Sequence, residues 1–346
     1  MELDRMWDIA GCRCILNSEE KANKLKYLLC KEFHVVKENN YYESPPNTGY
    51  RSIHLYLTDS PDDKWPVEVQ LRTRKDHNWA TLVEIIDQIY EKSLKEGEQD
   101  EDFNEFLILI SRLPTLQIDE KCRAIHLAHK LNVFQKLYSV FLKNYLKVRE
   151  DWLVLNKPKH HHFFVIEVEG DKPIISSYDR FKEAEIDYFK KFSTSIGTNI
   201  VLTYLPQSNF ENLETAYSNY TLTTHSIIDD YFQMLSDVCG FLLKQKNFKS
   251  FYRFFSNSQE IFYSSLANID KEFRMIEDAI NVDRRKAKYW EKDFRKRIKK
   301  RVKIFNQLSK EIERFSPSGG FSSLIFNYYV WRIDRRDKQI QKQILG

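Results

Sequence analysis

The sequence predicts an α+β protein: a mixed sheet flanked by helices, then a small second α+β domain, then a helical carboxy-terminal region. Three observations carry this expectation. Residues 50–58 and 66–72 alternate apolar and polar side chains, the period of strands that bury one face. Between Asn17 and Phe33, Ala22, Leu25, Leu28 and Leu29 fall on one face of a helix. From about residue 225 onward the helical pattern is almost uninterrupted, and "SPSGG" at 316–320 is its clearest break.

In chain order, a strand is expected at 12–16, and Asn17 with Glu20 offers a capping box for the first helix. A strand at 34–37 leads through the turn-rich "SPPNTG" to strands 50–58 and 66–72. The six-residue link "DSPDDK" is short enough to join these two as an antiparallel hairpin. Helices follow at about 75–95, 102–112 and 119–149. "NKPK" at 156–159 marks a boundary. Beyond it come strands 162–168 and 173–178, helix 180–195, strand 199–205 and helix 208–217. The expected domains are therefore 1–114, a connecting helix and linker 115–158, a small α+β domain 159–224 and a helical region 225–346.

Composition narrows the class. Hydrophobic residues make up 42% and charged residues 30%, with only 9 Gly and 9 Pro, which fits an ordered chain and excludes a low-complexity one. No apolar run approaches the roughly 20 residues that cross a bilayer, and no signal-peptide pattern opens the sequence, so a cytoplasmic protein is expected. Five cysteines without a C-x-x-C pair read as reduced thiols. The net charge is only +4, but residues 284–303 hold 12 Lys or Arg against Glu291 and Asp293. That stretch, with Tyr289, Trp290 and Phe294, is a candidate RNA-binding helix, although Ile298, Val302 and Phe305 at helical spacing fit a packed helix with a solvated basic face better. Adjacent His160, His161 and His162 cannot converge on one metal if they lie on a strand.

The alternate row of the hairpin carries the chemistry. Ile53, Leu55 and Leu57, with Val67, Val69 and Leu71, point one way; Ser52, His54 and Tyr56, with Glu68, Gln70 and Arg72, point the other. A solvated face would be served as well by Lys and Thr. A carboxylate, an imidazole, an amide and a guanidinium in one patch instead suit a site for metal and phosphate.

Four phrases in register, "DIAGCR" (8–13), "GYRSIH" (49–54), "VEVQLRT" (67–73) and "HNWATLVE" (77–84), resemble the synthetase domain of RelA/SpoT-type alarmone synthetases. The phrase "LETAYSNYTLTT" (213–224) is more weakly similar to one subgroup. The resemblance implies a nucleotidyltransferase-like fold and Mg2+-dependent transfer of pyrophosphate from ATP to the 3′-hydroxyl of GDP or GTP, giving (p)ppGpp and AMP. It also implies roles: Asp8 and Glu68 as metal ligands and catalytic carboxylates, Tyr50 as the ring that stacks on the acceptor base, and His54, Arg51, Gln70 and Arg72 as substrate-binding residues. Gly49 would permit the backbone angle that sets Tyr50 in place. Arg13 reads as a structural pairing partner, while His77, Trp79 and Glu84 divide evenly between supporting the sheet and touching substrate.

Two departures qualify these implications. Pro46 stands where the family carries a Lys, and Thr48 where it carries an Asn, which opens the acceptor to an adenine nucleotide or a tRNA 3′ end. The chain also starts seven residues before Asp8, whereas family members have an Arg-x-Lys segment there that grips ATP. An incomplete donor site is therefore expected. The rival expectation is a non-enzymatic nucleotide- or RNA-binding regulator. Family-type hydrolysis is not expected, because the His-Asp motif of the hydrolase domain is absent.

Overall fold

The computed structural model describes residues 10–137 apart from Asn47, 161–205 apart from 170–171 and 195–198, 226–261 apart from Glu260, and 319–345, with isolated residues between these stretches. The chain divides into two compact units, Met1–Leu116 and Gln117–Gly346. The expected α+β architecture is present: a mixed sheet flanked by helices and a largely helical carboxy-terminal region. Asp8, most of the helix expected at 208–217 and most of the basic stretch 284–303 lie outside the described residues.

The first unit is built on β1 (Ala10–Leu16), β2 (His34–Asn40), β3 (Ile53–Thr58) and β4 (Val67–Thr73), in the order β1-β4-β3-β2. β1 runs parallel to β4, and the β2–β3 and β3–β4 pairs are antiparallel. On one face Ile53, Leu55, Leu57, Val69 and Leu71 form a buried cluster with Ala22, and Leu25, Leu29 and Cys30 pack onto it from α1 (Glu19–Glu32). Val67 leaves this row and is exposed at the start of β4. The N-cap of α1 is Ser18, whose hydroxyl accepts from the Lys21 amide, in place of the expected Asn17.

The opposite face is covered by α2 (Arg74–Tyr90) and α3 (Glu101–Ser111). The β4–α2 junction is fixed by polar contacts. Thr73 caps α2 by accepting from the Asp76 amide, and the Tyr42 hydroxyl donates to Asp76 Oδ2 at 2.7 Å while accepting from the Thr73 amide at 3.1 Å. Trp79 Nε1 donates to the Leu107 carbonyl at 2.8 Å and ties α2 to α3.

In the second unit, β5 (Phe163–Glu169) lies between β6 (Lys172–Tyr178) and β7 (Asn199–Tyr204), all antiparallel. Phe164, Ile166 and Ile175 anchor their core, and α5 (Phe181–Thr194) packs on the sheet. His161 hydrogen-bonds Ser177 on β6, whereas His162 faces the Leu205 carbonyl beyond β7, so the two histidines diverge. The long helix expected at 119–149 is interrupted: α4 (Ile118–Lys130) stops at Asn132, in the left-handed region at φ 55°, and helix resumes at 133. α4 packs on α6 (Ile227–Lys244), and α7 (Gly320–Leu345) closes the described chain. Among the described residues no helix is long and apolar enough to cross a membrane.

Candidate nucleotide site

Strand pairing assembles the site. The register sets His54 opposite Gln70 and Tyr56 opposite Glu68, while β1 brings Gly11 and Arg13 alongside Glu68 and Gln70. All of these except Gly11 line one cavity of about 610 Å³, together with Tyr41, Pro46, Thr48, Tyr50, Arg72, Trp79, Glu84 and Lys95. The volume is of the size that holds a nucleotide-scale ligand.

The polar row is a closed ring of hydrogen bonds. Glu68 Oε1 accepts from His54 Nδ1 at 2.8 Å and from the Tyr56 hydroxyl at 3.1 Å, and its Oε2 accepts from Gln70 Nε2 at 2.7 Å. Gln70 Oε1 accepts from an Arg72 terminal nitrogen at 2.8 Å and from Arg13 Nε at 3.3 Å. The same Arg72 nitrogen reaches the Tyr50 hydroxyl at 2.6 Å, and that hydroxyl meets His54 Nε2 at 2.6 Å. Donor accounting then fixes one consistent pattern: a neutral His54 gives its Nδ1 proton to Glu68 and accepts from Tyr50, which accepts from Arg72.

Burial enforces that pattern. Glu68 and Arg72 are only 8% and 5% exposed. Desolvation pulls His54 below its ordinary pKa, with Glu68 opposing and Arg72 reinforcing. Burial likewise raises the Tyr50 phenol against the pull of Arg72, which keeps it protonated at neutral pH. Arg13, Arg72 and Lys95 face Glu68 and Glu84 across the lining, leaving one positive charge in excess when His54 is neutral. Lys95 pairs with Glu84 at 2.7 Å.

The aromatic wall is ordered around Tyr50. Its ring meets Tyr41 edge-on at 5.4 Å, Trp79 at 6.3 Å and the Arg72 guanidinium at 5.1 Å from the centroid. Gly49 lies at φ +89°, and a Cβ there would fall 2.7 Å from Ser111 Oγ, so only glycine lets the chain turn into Tyr50.

Of the residues singled out from sequence, Glu68, Tyr50, His54, Gln70 and Arg72 come together here. Arg51 does not line the cavity, because neighbours along an extended chain face opposite ways. Ser52 is fully buried, donates to the Leu71 carbonyl and does not line the cavity. Arg13 and Trp79 both pair and line the cavity; Glu84 lines it and His77 does not. Tyr41, Lys95 and Asn104 were not anticipated, since they come from a turn and from helix positions without a distinctive period.

For a metal, Glu68 supplies a hard oxygen donor. A carboxylate has about four lone-pair sites, of which three are taken, and Mg2+ needs only one or two carboxylates beside phosphate and water. The missing Cβ of Gly11 keeps the space beside Glu68 clear, since one built there would lie 3.9 Å from Oε2. Among the described residues no cluster of three or more metal-ligating side chains exists, so Glu68 fits a metal only with donors from elsewhere.

Residues 1–94 match the family described as "Region found in RelA / SpoT proteins". The GTP pyrophosphokinase YjbM of Bacillus subtilis (strain 168) is 31% identical over 102 residues, covering 28% of this chain and 48% of that protein. The chain thus spans about half the length of the curated relative it matches. Among solved structures, small alarmone synthetase 1 of Bacillus subtilis bound to its product pppGpp is 28% identical, over 32% of this chain and 58% of that one, with a TM-score of 0.27. Small alarmone synthetase 2 of the same organism is 23% identical, over 32% and 61%, with a TM-score of 0.28. Both sequence matches fall in the amino-terminal region, which is similar to RelA/SpoT proteins.

Proposed function

We propose that the first unit binds nucleotides in this cavity and acts as a pyrophosphokinase, transferring the β,γ-pyrophosphate of ATP to the ribose 3′-hydroxyl of GDP or GTP. The new bond joins the 3′-oxygen to the β-phosphorus, the α,β bridge breaks, and AMP leaves. One observation carries the reading: a buried carboxylate, Glu68, is held by three donors at the floor of a cavity that also presents Arg13, Arg72 and an aromatic wall.

Each residue has a task within it. Glu68 has one lone-pair site left, which takes the proton of the attacking hydroxyl or helps hold the metal, and its hydrogen bonds fix the carboxylate in one orientation. Tyr50 offers its ring to the acceptor base; base–aromatic stacking contributes about 1–3 kcal/mol. Arg72 lines the cavity and holds its guanidinium charge there for an incoming phosphate. Mg2+, held by Glu68 and Asp8, would supply charge neutralisation across the transferred phosphates.

Pro46 and Thr48 favour a second acceptor, because both line the cavity and neither carries charge. A tRNA 3′ end, whose terminal adenosine carries no 5′-polyphosphate, would need fewer phosphate contacts at that rim than GTP does, as would AMP among the adenine nucleotides. The test is to incubate the purified chain with γ-labelled ATP, Mg2+ and GDP, GTP, ATP or tRNA. Label moving to an acceptor, and lost in Glu68→Ala, supports transfer. Tight nucleotide binding without transfer, unchanged in Glu68→Ala, would establish the regulator in its place.

A further inference from the structure

Within the second unit, α7 is a helix of two faces. Phe326, Ile333 and Ile340, seven residues apart, are buried; Phe326 packs on Phe248 with ring centroids 5.3 Å apart, and Gln259 donates to the Ile333 carbonyl. The opposite stripe is bare: Phe321 is 77% exposed, Leu324 68%, Tyr328 51% and Trp331 54%. These four recur at steps of three and four, the spacing of a coiled-coil seam, and the same spacing continues to the exposed Arg335 and Lys338. The stripe is therefore apolar in its first half and cationic in its second.

We infer that this stripe is the seam of an antiparallel homodimer formed between α7 helices of two copies of the chain. A two-fold axis crossing the helix midway between residues 329 and 330 sets Phe321 opposite the partner's Lys338, Leu324 opposite the partner's Arg335, and Tyr328 opposite the partner's Trp331. All six seam positions find a complement under that one operation, as an isologous interface requires. The central layers stack ring on ring, and each end sets a cation over an apolar or aromatic partner. Arg335 already lies 5.5 Å from the centroid of Trp331 and Arg332 5.8 Å from that of Tyr328, so the helix itself favours this type of contact. Parallel pairing would instead set Arg335 against Arg335 and Lys338 against Lys338.

Size is consistent with this occupant. The four apolar side chains offer roughly 500 Å² per copy, given about 150–250 Å² for a whole aromatic side chain. The flanking Ile325, Asn327, Arg332 and Asp334 extend the patch toward the ~800 Å² per partner of a stable interface. A single-stranded nucleic acid fits less well, because the exposed Asp334 flanks the cationic half and the apolar half, Phe321 to Trp331, carries no Lys or Arg within its own seam positions.

Sedimentation of the full chain tests the dimer, with tight concentration dependence read as mass. Phe321→Lys should shift the population to monomer, and Phe321→Lys/Lys338→Phe should restore the dimer, an outcome that misfolding does not mimic. Orientation is read by oxidation: Phe321→Cys chains mixed with Lys338→Cys chains should cross-link, while Phe321→Cys alone should not. A monomeric parent, failure of the swapped pair to recover, or cross-linking of Phe321→Cys with itself would each overturn the proposal. So would a monomer that binds an oligonucleotide through Trp331.

Discussion

The two units each hold a histidine hydrogen-bonded to a tyrosine hydroxyl, and the pairs behave differently. In the first unit His54 Nε2 meets Tyr50 at 2.6 Å, and the pair continues into Glu68, Gln70 and Arg72 on a cavity wall. In the second unit His129 Nε2 meets Tyr231 at 2.7 Å, and Tyr231 continues only to Ser258, with Tyr231 fully buried and Ser258 2% exposed. The first chain of bonds ends on charges that a ligand can reach. The second ends on neutral groups inside a helical core, where a satisfied network specifies packing. A motif of two side chains is thus uninformative until the groups beyond it are known.

The widest separation between the two networks is expected from removing their end groups. Glu68→Gln should lower pyrophosphate transfer by at least ~100-fold, the usual scale of a lost general base, with the fold retained. Ser258→Ala should leave transfer unchanged and lower stability instead. Equal losses of transfer in both variants would erase the distinction. Next in size, Gly49→Ala should destabilise the first unit by about 2–3 kcal/mol, because an L residue at φ +89° is strained and its Cβ meets Ser111. Hydrogen exchange resolved by unit would show faster opening in the first and none in the second.

The tyrosines come third. Tyr231→Phe removes the hydroxyl that links His129 to Ser258, while Ser258 keeps the Phe254 carbonyl, and should cost about 1 kcal/mol in the second unit, read from the exchange of α6 amides. Tyr50→Phe should cost less stability, since Arg72 keeps Gln70 and His54 keeps Glu68, but should raise the apparent KM for the acceptor. A reversed ranking would mean that the first network is a structural staple as well.

That contrast also marks what the sequence made legible. The hairpin was readable because period-two alternation fixes both the buried row and the polar row, and its register then places His54, Glu68, Gln70 and Arg72 together. Arg51, singled out through the motif match, is absent from the cavity lining, because side-chain direction along an extended chain alternates and a motif match disregards it. The break at Asn132 was invisible, since the helical pattern continues beyond it and only a left-handed residue marks the stop. Tyr41, Lys95 and Asn104 reach the cavity through tertiary packing of a turn, a 3-10 helical turn at Leu94–Glu96 and α3, which no local period encodes. Asp8, the partner proposed for Glu68 at the metal, lies outside the described residues.

Acid gives the smallest and most discriminating comparison. His129 is pushed down to about 4 by burial, with His126 and Arg253 adding to it. The unfolded chain keeps its ordinary value of about 6.5, so between those values the unfolded state binds a proton that the folded state refuses. Stability of the second unit is therefore complete above pH 6.5 and lost as pH falls toward 4, at up to about 1.4 kcal/mol per pH unit for this one proton. At His54 burial acts in the same direction, but Glu68 at 2.8 Å opposes it and makes the loss shallower. Exchange measured at pH 7 and 5.5, corrected for intrinsic rates, should show the α6 amides losing more protection than those of β3. His129→Gln should flatten the α6 response and leave β3 as it was; a steep response that survives this substitution would assign the acid sensitivity to other groups and leave the His129–Tyr231 pair without its predicted cost.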